Sequence, residues 1–212
     1  LGCSSTTPPP EPPPEAPVAA IEPTTFTEFG YTRVDDYYWL NQRENPEVIA
    51  YLETENAYTE AMTAHTSALR ETLFDEIVGR IQETDFTAPY RDGDWWYYTR
   101  TEKGKQYPIY CRKQGSVDAT EDVYLDANLW EGEYPFIGVG SLDHTASGSR
   151  LAYTLDTTGF RVFTLHVKDL ASGDLLPLTA ERVTSVVWAA DEETLFFTVE
   201  DETTKRSHRL YR

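Results

Sequence analysis

The apolar positions change their period once along the chain. From residue 46 to about 77 they recur at helical spacing, at Val48, Ile49, Leu52, Met62, Leu69, Leu73 and Ile77. The start is marked: Asn45 is a good N-cap, Pro46 suits the first helical position, and Glu47 complements the helix dipole. The pattern predicts a helix over 46–77, with a break around 63–66 and a stop before Gly79. Its apolar stripe needs a partner outside the helix.

From residue 80 the pattern is that of strands, and one strand-turn-strand unit recurs three times. The first copy is Asp92-Gly93-Asp94-Trp95-Trp96-Tyr97-Tyr98-Thr99 with Tyr107-Pro108-Ile109-Tyr110-Cys111-Arg112. The second is Ser147-Gly148-Ser149-Arg150-Leu151-Ala152-Tyr153-Thr154 with Phe163-Thr164-Leu165-His166-Val167-Lys168. The third is Asp191-Glu192-Glu193-Thr194-Leu195-Phe196-Phe197-Thr198 with His208-Arg209-Leu210-Tyr211-Arg212. Tyr98 and Tyr153 are 55 residues apart, and Tyr153 and Phe197 are 44 apart. A repeat of that period marks a blade-by-blade array. Trp95-Trp96-Tyr97-Tyr98 is apolar or aromatic throughout, which suits a strand covered on both faces.

Phe136-Ile137-Gly138-Val139 ahead of the second copy, and Leu175-Leu176-Pro177-Leu178 after its turn at 169–174, complete four strands, the content of one propeller blade. Ser185-Val186-Val187-Trp188 leads the third copy, whose fourth strand is expected to follow Arg212. The chain starts without Met and ends in a strand-like run, so both ends are read as interruptions. Such a piece is expected to be poorly stable alone, with an open blade edge and an exposed helix stripe. Residues 24–44 read as mixed.

Residues 1–23 hold eight of the 13 prolines and no basic residue, the composition of a semi-rigid spacer. Leu1-Gly2-Cys3-Ser4-Ser5 resembles the end of a bacterial lipoprotein signal, in which the cysteine becomes the acylated N-terminus. The expectation is a lipid anchor at Cys3, with a chance cysteine as the alternative. Two acyl chains would hold it stably.

The net charge is −18. A nucleic-acid surface would be basic, so that partner is excluded. The acidity serves solubility or attracts basic partners. Without the tail, 33 acidic and 18 basic side chains remain. Cys3 and Cys111 provide no metal spacing and no disulfide framework. No run of 18 apolar residues spans a membrane.

The candidate chemistry is thin. There is no G-x-S-x-G, HExxH, phosphate loop or GxGxxG, and no cofactor or metal site is read. Gly140-Ser141-Leu142-Asp143-His144 gathers Ser, Asp and His, but a triad needs groups converging from separate parts of a fold, so the string is read as a blade turn. His65, His166 and His208 read as surface or packing residues. Asp35/Asp36 and Asp75/Glu76 read as solvated charges and not as a glycosidase pair. No catalytic residue is assigned.

Asp35-Asp36-Tyr37-Tyr38-Trp39-Leu40, then Asn45-Pro46-Glu47-Val48 and a helix, resembles the N-terminal region of the prolyl oligopeptidase family, in particular its oligopeptidase B branch. Gly79-Arg80-Ile81, Gly104-Lys105-Gln106-Tyr107-Pro108-Ile109-Tyr110, Leu125-Asp126-Ala127-Asn128, Leu151-Ala152-Tyr153-Thr154-Leu155-Asp156, Val167-Lys168-Asp169-Leu170-Ala171-Ser172-Gly173 and Val187-Trp188-Ala189-Ala190-Asp191 agree in order. The resemblance implies a mainly β fold: two to three blades of a β-propeller of roughly seven, preceded by an α-helical N-terminal segment. It also implies an α/β-hydrolase domain absent from these residues.

The expected division is a lipoprotein-like tether over 1–23, a helical segment over 24–79 that packs on the missing hydrolase domain, and first blades over 80–212. The implied activity is serine-type cleavage of short peptides after Arg or Lys. The propeller gates and steers substrate to a Ser-Asp-His site that lies outside this chain. The alternative is a non-enzymatic propeller lipoprotein that binds a ligand or partner. The expected partners are short basic peptides, the hydrolase domain and, through Cys3, a membrane. The expected location is a bacterial envelope, periplasm-facing or on the outer membrane; without the anchor it is the cytoplasm.

Overall fold

The computed structural model describes residues 14–212; Cys3 and the first part of the proline-rich segment lie outside the described residues. The chain forms two compact units, one ending at Ile81 and the other running from Gln82 to Arg212.

The first unit opens with an element the mixed pattern of 24–44 concealed. Strands β1 (Thr24–Glu28) and β2 (Tyr31–Asp35) pair antiparallel, Thr24 opposite Asp35 and Glu28 opposite Tyr31. Phe29 and Gly30 join them at φ +51° and +82°. Both central residues in the left-handed region are what a tight hairpin of this twist demands. Upstream, Trp39 Nε1 donates to the Ala20 carbonyl at 2.9 Å and the Glu22 amide donates to Asp36. The end of the proline-rich stretch is thus tied to folded chain.

Helix α1 (Pro46–Thr63) starts as its sequence dictates: Asn45 Oδ1 accepts from the Glu47 amide at 2.9 Å. A short 3-10 turn, Ala64–Thr66, makes the expected break before α2 (Ser67–Gly79). The stop differs in detail. Gly79 is the last helical residue and not a left-handed cap; the Arg80 and Ile81 amides close the end on Ile77 and Val78 carbonyls. The apolar stripe is also uneven. On α2, Leu69, Leu73, Phe74 and Ile77 are all exposed, and Phe74 reaches 66%. On α1, Ile49 and Leu52 are exposed and Val48 is buried.

The second unit is three stacked antiparallel sheets. The first contains β3 (Asp85–Phe86), β4 (Tyr90–Asp92), β5 (Trp95–Thr101), β6 (Ile109–Gln114) and β7 (Asp122–Asp126), with β3 and β4 both pairing β5. The second is the meander β8 (Gly138–His144), β9 (Arg150–Asp156), β10 (Thr164–Asp169) and β11 (Leu175–Ala180). The third is β12 (Val183–Trp188), β13 (Leu195–Glu200) and β14 (Ser207–Tyr211). Two sheets carry a full blade's strands and the third carries three.

Strand β9 shows why the sheets stack. Leu151, Tyr153 and Leu155 join a core with Tyr97, Tyr124, Leu125 and Ile137 of the first-blade side. Ala152, on the opposite face, joins Leu165, Val167, Val183, Val186 and Leu195 on the third-blade side. A period of two with both faces apolar is the sequence of a strand between two layers. Tyr97 and Tyr98 of β5 are likewise both buried on opposite faces, as their unbroken aromatic run predicts.

The string 140–144 corrects the sequence reading. It is not a turn but the body of β8, and the leading strand expected at 136–139 begins only at Gly138. Val139 faces Leu155 and Leu142 faces Tyr153, so β8 carries one residue more than its partner between those pairs. That bulge breaks the two-residue alternation by which the strand could have been recognised. The actual turn follows at 145–149 and carries Gly148 at φ +72°. Any side chain there would collide with the Trp95 indole, which donates from Nε1 to Ser147 O at 3.0 Å.

Candidate functional site

The structure separates the three residues that suggested a triad. Ser141 Oγ accepts from the Val186 amide at 3.2 Å and Asp143 Oδ2 accepts from the Trp188 amide at 2.7 Å. Both donors lie on β12, whose far edge would otherwise present unpaired amides. Leu142 packs into the first-second blade core. His144, buried, stacks on Tyr97 with ring centres 3.7 Å apart. Ser141 and Asp143 therefore serve one seam between blades and His144 the other.

The first-second seam has a second tie. Arg112 is buried, donates Nε to Asp122 Oδ2 at 2.7 Å, donates Nη1 to the Gly148 carbonyl, and lies 3.9 Å over the Trp95 ring. Burial pushes the Tyr97 hydroxyl up to about 12, so it stays neutral at physiological pH. Burial likewise pushes the Cys111 thiol up to about 11, which leaves it a packing group.

The acidic composition acquires local reasons. Asp169 caps its turn by accepting the Ser172 and Ala171 amides, Asp191 by accepting those of Thr194 and Glu193, and Asp201 by accepting those of Thr204 and Thr203. These bonds hold each carboxyl below the usual carboxylate range. Burial alone would raise Asp156, but donors from Thr158, Arg161 and Gly159 outweigh it and the net shift is downward. No pattern search for catalytic pairs would find these roles; the signal is an Asp two or three residues before Ser, Thr or Gly at a strand end.

Of the other groups considered, Asp35 accepts the Tyr37 amide and pairs with Arg33, and Glu76 pairs with Arg80 one helical turn on. His166 stacks on Tyr153, and burial lowers its pKa. His65 sits against the Met62 carbonyl and His208 is exposed. Among the described residues no three His, Cys, Asp or Glu side chains gather as metal ligands, and no helix is long and apolar enough to cross a membrane.

Two surfaces are left to act. One is the α2 face with Leu69, Leu73, Phe74 and Ile77; the other is the stack of blades with its edge strands β8 and β12. Comparison with known proteins agrees with the stack. The family model for the prolyl oligopeptidase N-terminal beta-propeller domain matches residues 17–212. Dipeptidyl aminopeptidase BI of Pseudoxanthomonas mexicana is 39% identical over 85% of this chain and 28% of its own length. Protease 2 of Moraxella lacunata is 36% identical over 88% of this chain and 28% of its own. Oligopeptidase B from Leishmania major superposes with a TM-score of 0.79 at 30% identity, covering 92% of this chain and 30% of that one. The chain thus spans about 28% of the length of the curated relatives it matches. It belongs to the prolyl oligopeptidase family, and residues 17–212 match the family's N-terminal β-propeller domain.

Proposed function

We infer that these residues are the propeller portion of a serine oligopeptidase that hydrolyses short peptides after Arg or Lys. The propeller gates and steers substrate toward a Ser-Asp-His site in a hydrolase domain outside the 212 residues. The observation that carries this reading is the match over residues 17–212 to a peptidase propeller, coupled to a net charge of −18. An acidic cap attracts Arg- and Lys-bearing peptides and raises their encounter rate. The exposed α2 face is the surface that docks on the hydrolase domain, because an apolar stripe of this width needs a partner.

The test is kcat/KM of the full-length protein for a dibasic peptide across salt. Steering predicts a fall of about tenfold or more between low and high ionic strength. A flat salt profile removes steering, and equal rates after neutral residues remove the Arg/Lys preference. The chain of 212 residues alone should not cleave.

Anchoring in a bacterial envelope through an acylated Cys3 belongs to the same proposal and is supported by the Leu1-Gly2-Cys3 string ahead of a proline-rich spacer. Labelled palmitate should enter the protein and be lost in Cys3→Ser; equal labelling of both sinks the anchor.

A further inference from the structure

A cleft of about 260 Å3 opens where β8 and β12 begin, at the end of the second-third blade seam opposite the 145–149 turn. Its walls include Arg161, Arg182, Ser141, Thr154, Phe163 and Glu200. Two observations single it out. Arg161 and Arg182 both sit at left-handed backbone angles, φ +60° and +57°, which cost a non-glycine residue energy. The Arg161 backbone is pinned there by its own amide, which donates to Asp156 Oδ2 at 2.8 Å.

The second observation is unspent donor capacity in a strongly acidic protein. Arg182 donates Nη2 to Glu202 at 2.9 Å, but its buried Nη1 makes no hydrogen bond among the described residues and lies 3.6 Å from Glu200 Oε1. The Arg161 guanidinium is exposed and has no carboxylate within ion-pair reach among the described residues. Glu200 and Glu202 both face Arg182, and Lys205 Nζ lies 3.9 Å from Glu200, so Arg161 is the cation of the cleft without a carboxylate partner among the described residues. The Ser141 hydroxyl, whose oxygen already accepts from Val186, still has its proton to give. Phe163 supplies an apolar wall.

We propose that this cleft binds the C-terminal carboxylate of a peptide, with the exposed Arg161 guanidinium as the anion-binding group and the Ser141 hydroxyl as a second donor. A planar guanidinium matches a carboxylate's two oxygens, and charge-assisted bonds of this kind are the strong ones. Phe163 takes the apolar part of the terminal residue. The proposal rests on the oligopeptidase reading and adds to it a feature of the substrate: a free C-terminus within reach of the propeller seam. Such a site favours short peptides that end in a carboxylate over internal stretches of long chains.

The test uses the full-length protein and one fluorescent Arg-containing peptide made as the free acid and as the amide. The acid should bind about tenfold more tightly by anisotropy, the ratio expected for one charge-assisted contact, and KM should separate the two forms while kcat does not. Arg161→Asn should abolish the difference; Asn tolerates the left-handed backbone, and the Arg161 side chain holds no internal partner, so the fold is kept. Arg161→Lys should restore part of it. Equal binding of acid and amide, a preference that survives Arg161→Asn, or full displacement by millimolar inorganic phosphate overturns the site. Cleavage after Arg without an acid preference defeats this inference and leaves the peptidase reading standing. An acid preference in a protein that cleaves nothing does the reverse.

Discussion

Blade β8–β11 and helix α2 are both regular, well-formed elements, yet they keep their apolar side chains in opposite places. Leu165 of β10 is 0% exposed between two blades, while Phe74 of α2 is 66% exposed. The blade obtains its core from neighbours encoded within about fifty residues on either side. The helix has its apolar stripe but no core to complete. Local signals were sufficient to form both elements; burial distinguishes the self-sufficient region from the one that depends on a partner. The unpartnered face of α2 is therefore the surface proposed above for docking.

The largest effect that can test this contrast lies in the blade. Leu165→Ala opens a cavity among Val167, Val183, Val186 and Leu195 and should cost about 2–5 kcal/mol. The readout is a lower urea midpoint at unchanged slope. A loss under 1 kcal/mol would mean that the second and third blades do not stabilise each other, and the contrast would fail.

Next is the seam's polar tie. Asp143→Ala leaves the part-buried Trp188 amide of β12 without its acceptor at 2.7 Å, which should cost about 1 kcal/mol. Hydrogen exchange at Trp188 should accelerate while exchange at Leu151 and Tyr153 in β9 stays slow. Uniform acceleration across both strands would show that blades do not open separately.

This tie also shows where sequence reading reaches its limit. Asn45, Pro46 and Glu47 act within a few residues of themselves, so the start of α1 was legible. The apolar faces of β9 were legible because their period is local. The Ser141-Asp143-His144 string was misread because its partners, Val186 and Trp188 on one side and Tyr97 on the other, lie more than forty residues away, and the bulge at β8 hid the strand. The hairpin β1–β2 was missed because its turn places Phe29, a residue with no left-handed preference, where Asn or Gly would have announced it. The propeller itself was legible through its repeat. Arg161 and Arg182 were not, since nothing local marks two residues 21 positions apart as walls of one cleft.

A smaller effect follows pH. Asp156, Asp169, Asp191 and Asp201 have carboxyls held below their ordinary values in the folded chain. A depressed folded pKa gives stability that is present above the unfolded value, near about 3.9, and is lost as pH falls through the folded value. The melting temperature should therefore be flat above about pH 5 and fall below about pH 4. Asp156→Asn, which keeps the shape but not the charge, should lower the plateau and flatten the acid limb. A variant with the wild-type acid slope would show that the other carboxyls carry it.

The smallest effect should come from α2. Leu73 is 46% exposed, and Leu73→Ala removes side-chain area that water already reaches, so the 212-residue chain should lose no more than about 0.5 kcal/mol. In the full-length protein the docking proposed above predicts a larger cost for the same substitution, because a hydrolase domain would there cover the side chain. Burying the area that is now open would raise the penalty toward the 2–5 kcal/mol typical of a buried leucine, with roughly half as the expectation for a side chain already partly covered. The measurement is the same urea midpoint on both proteins. Equal small losses in the two would mean that the α2 face stays open to solvent in the whole protein, and the docking role would pass to another surface.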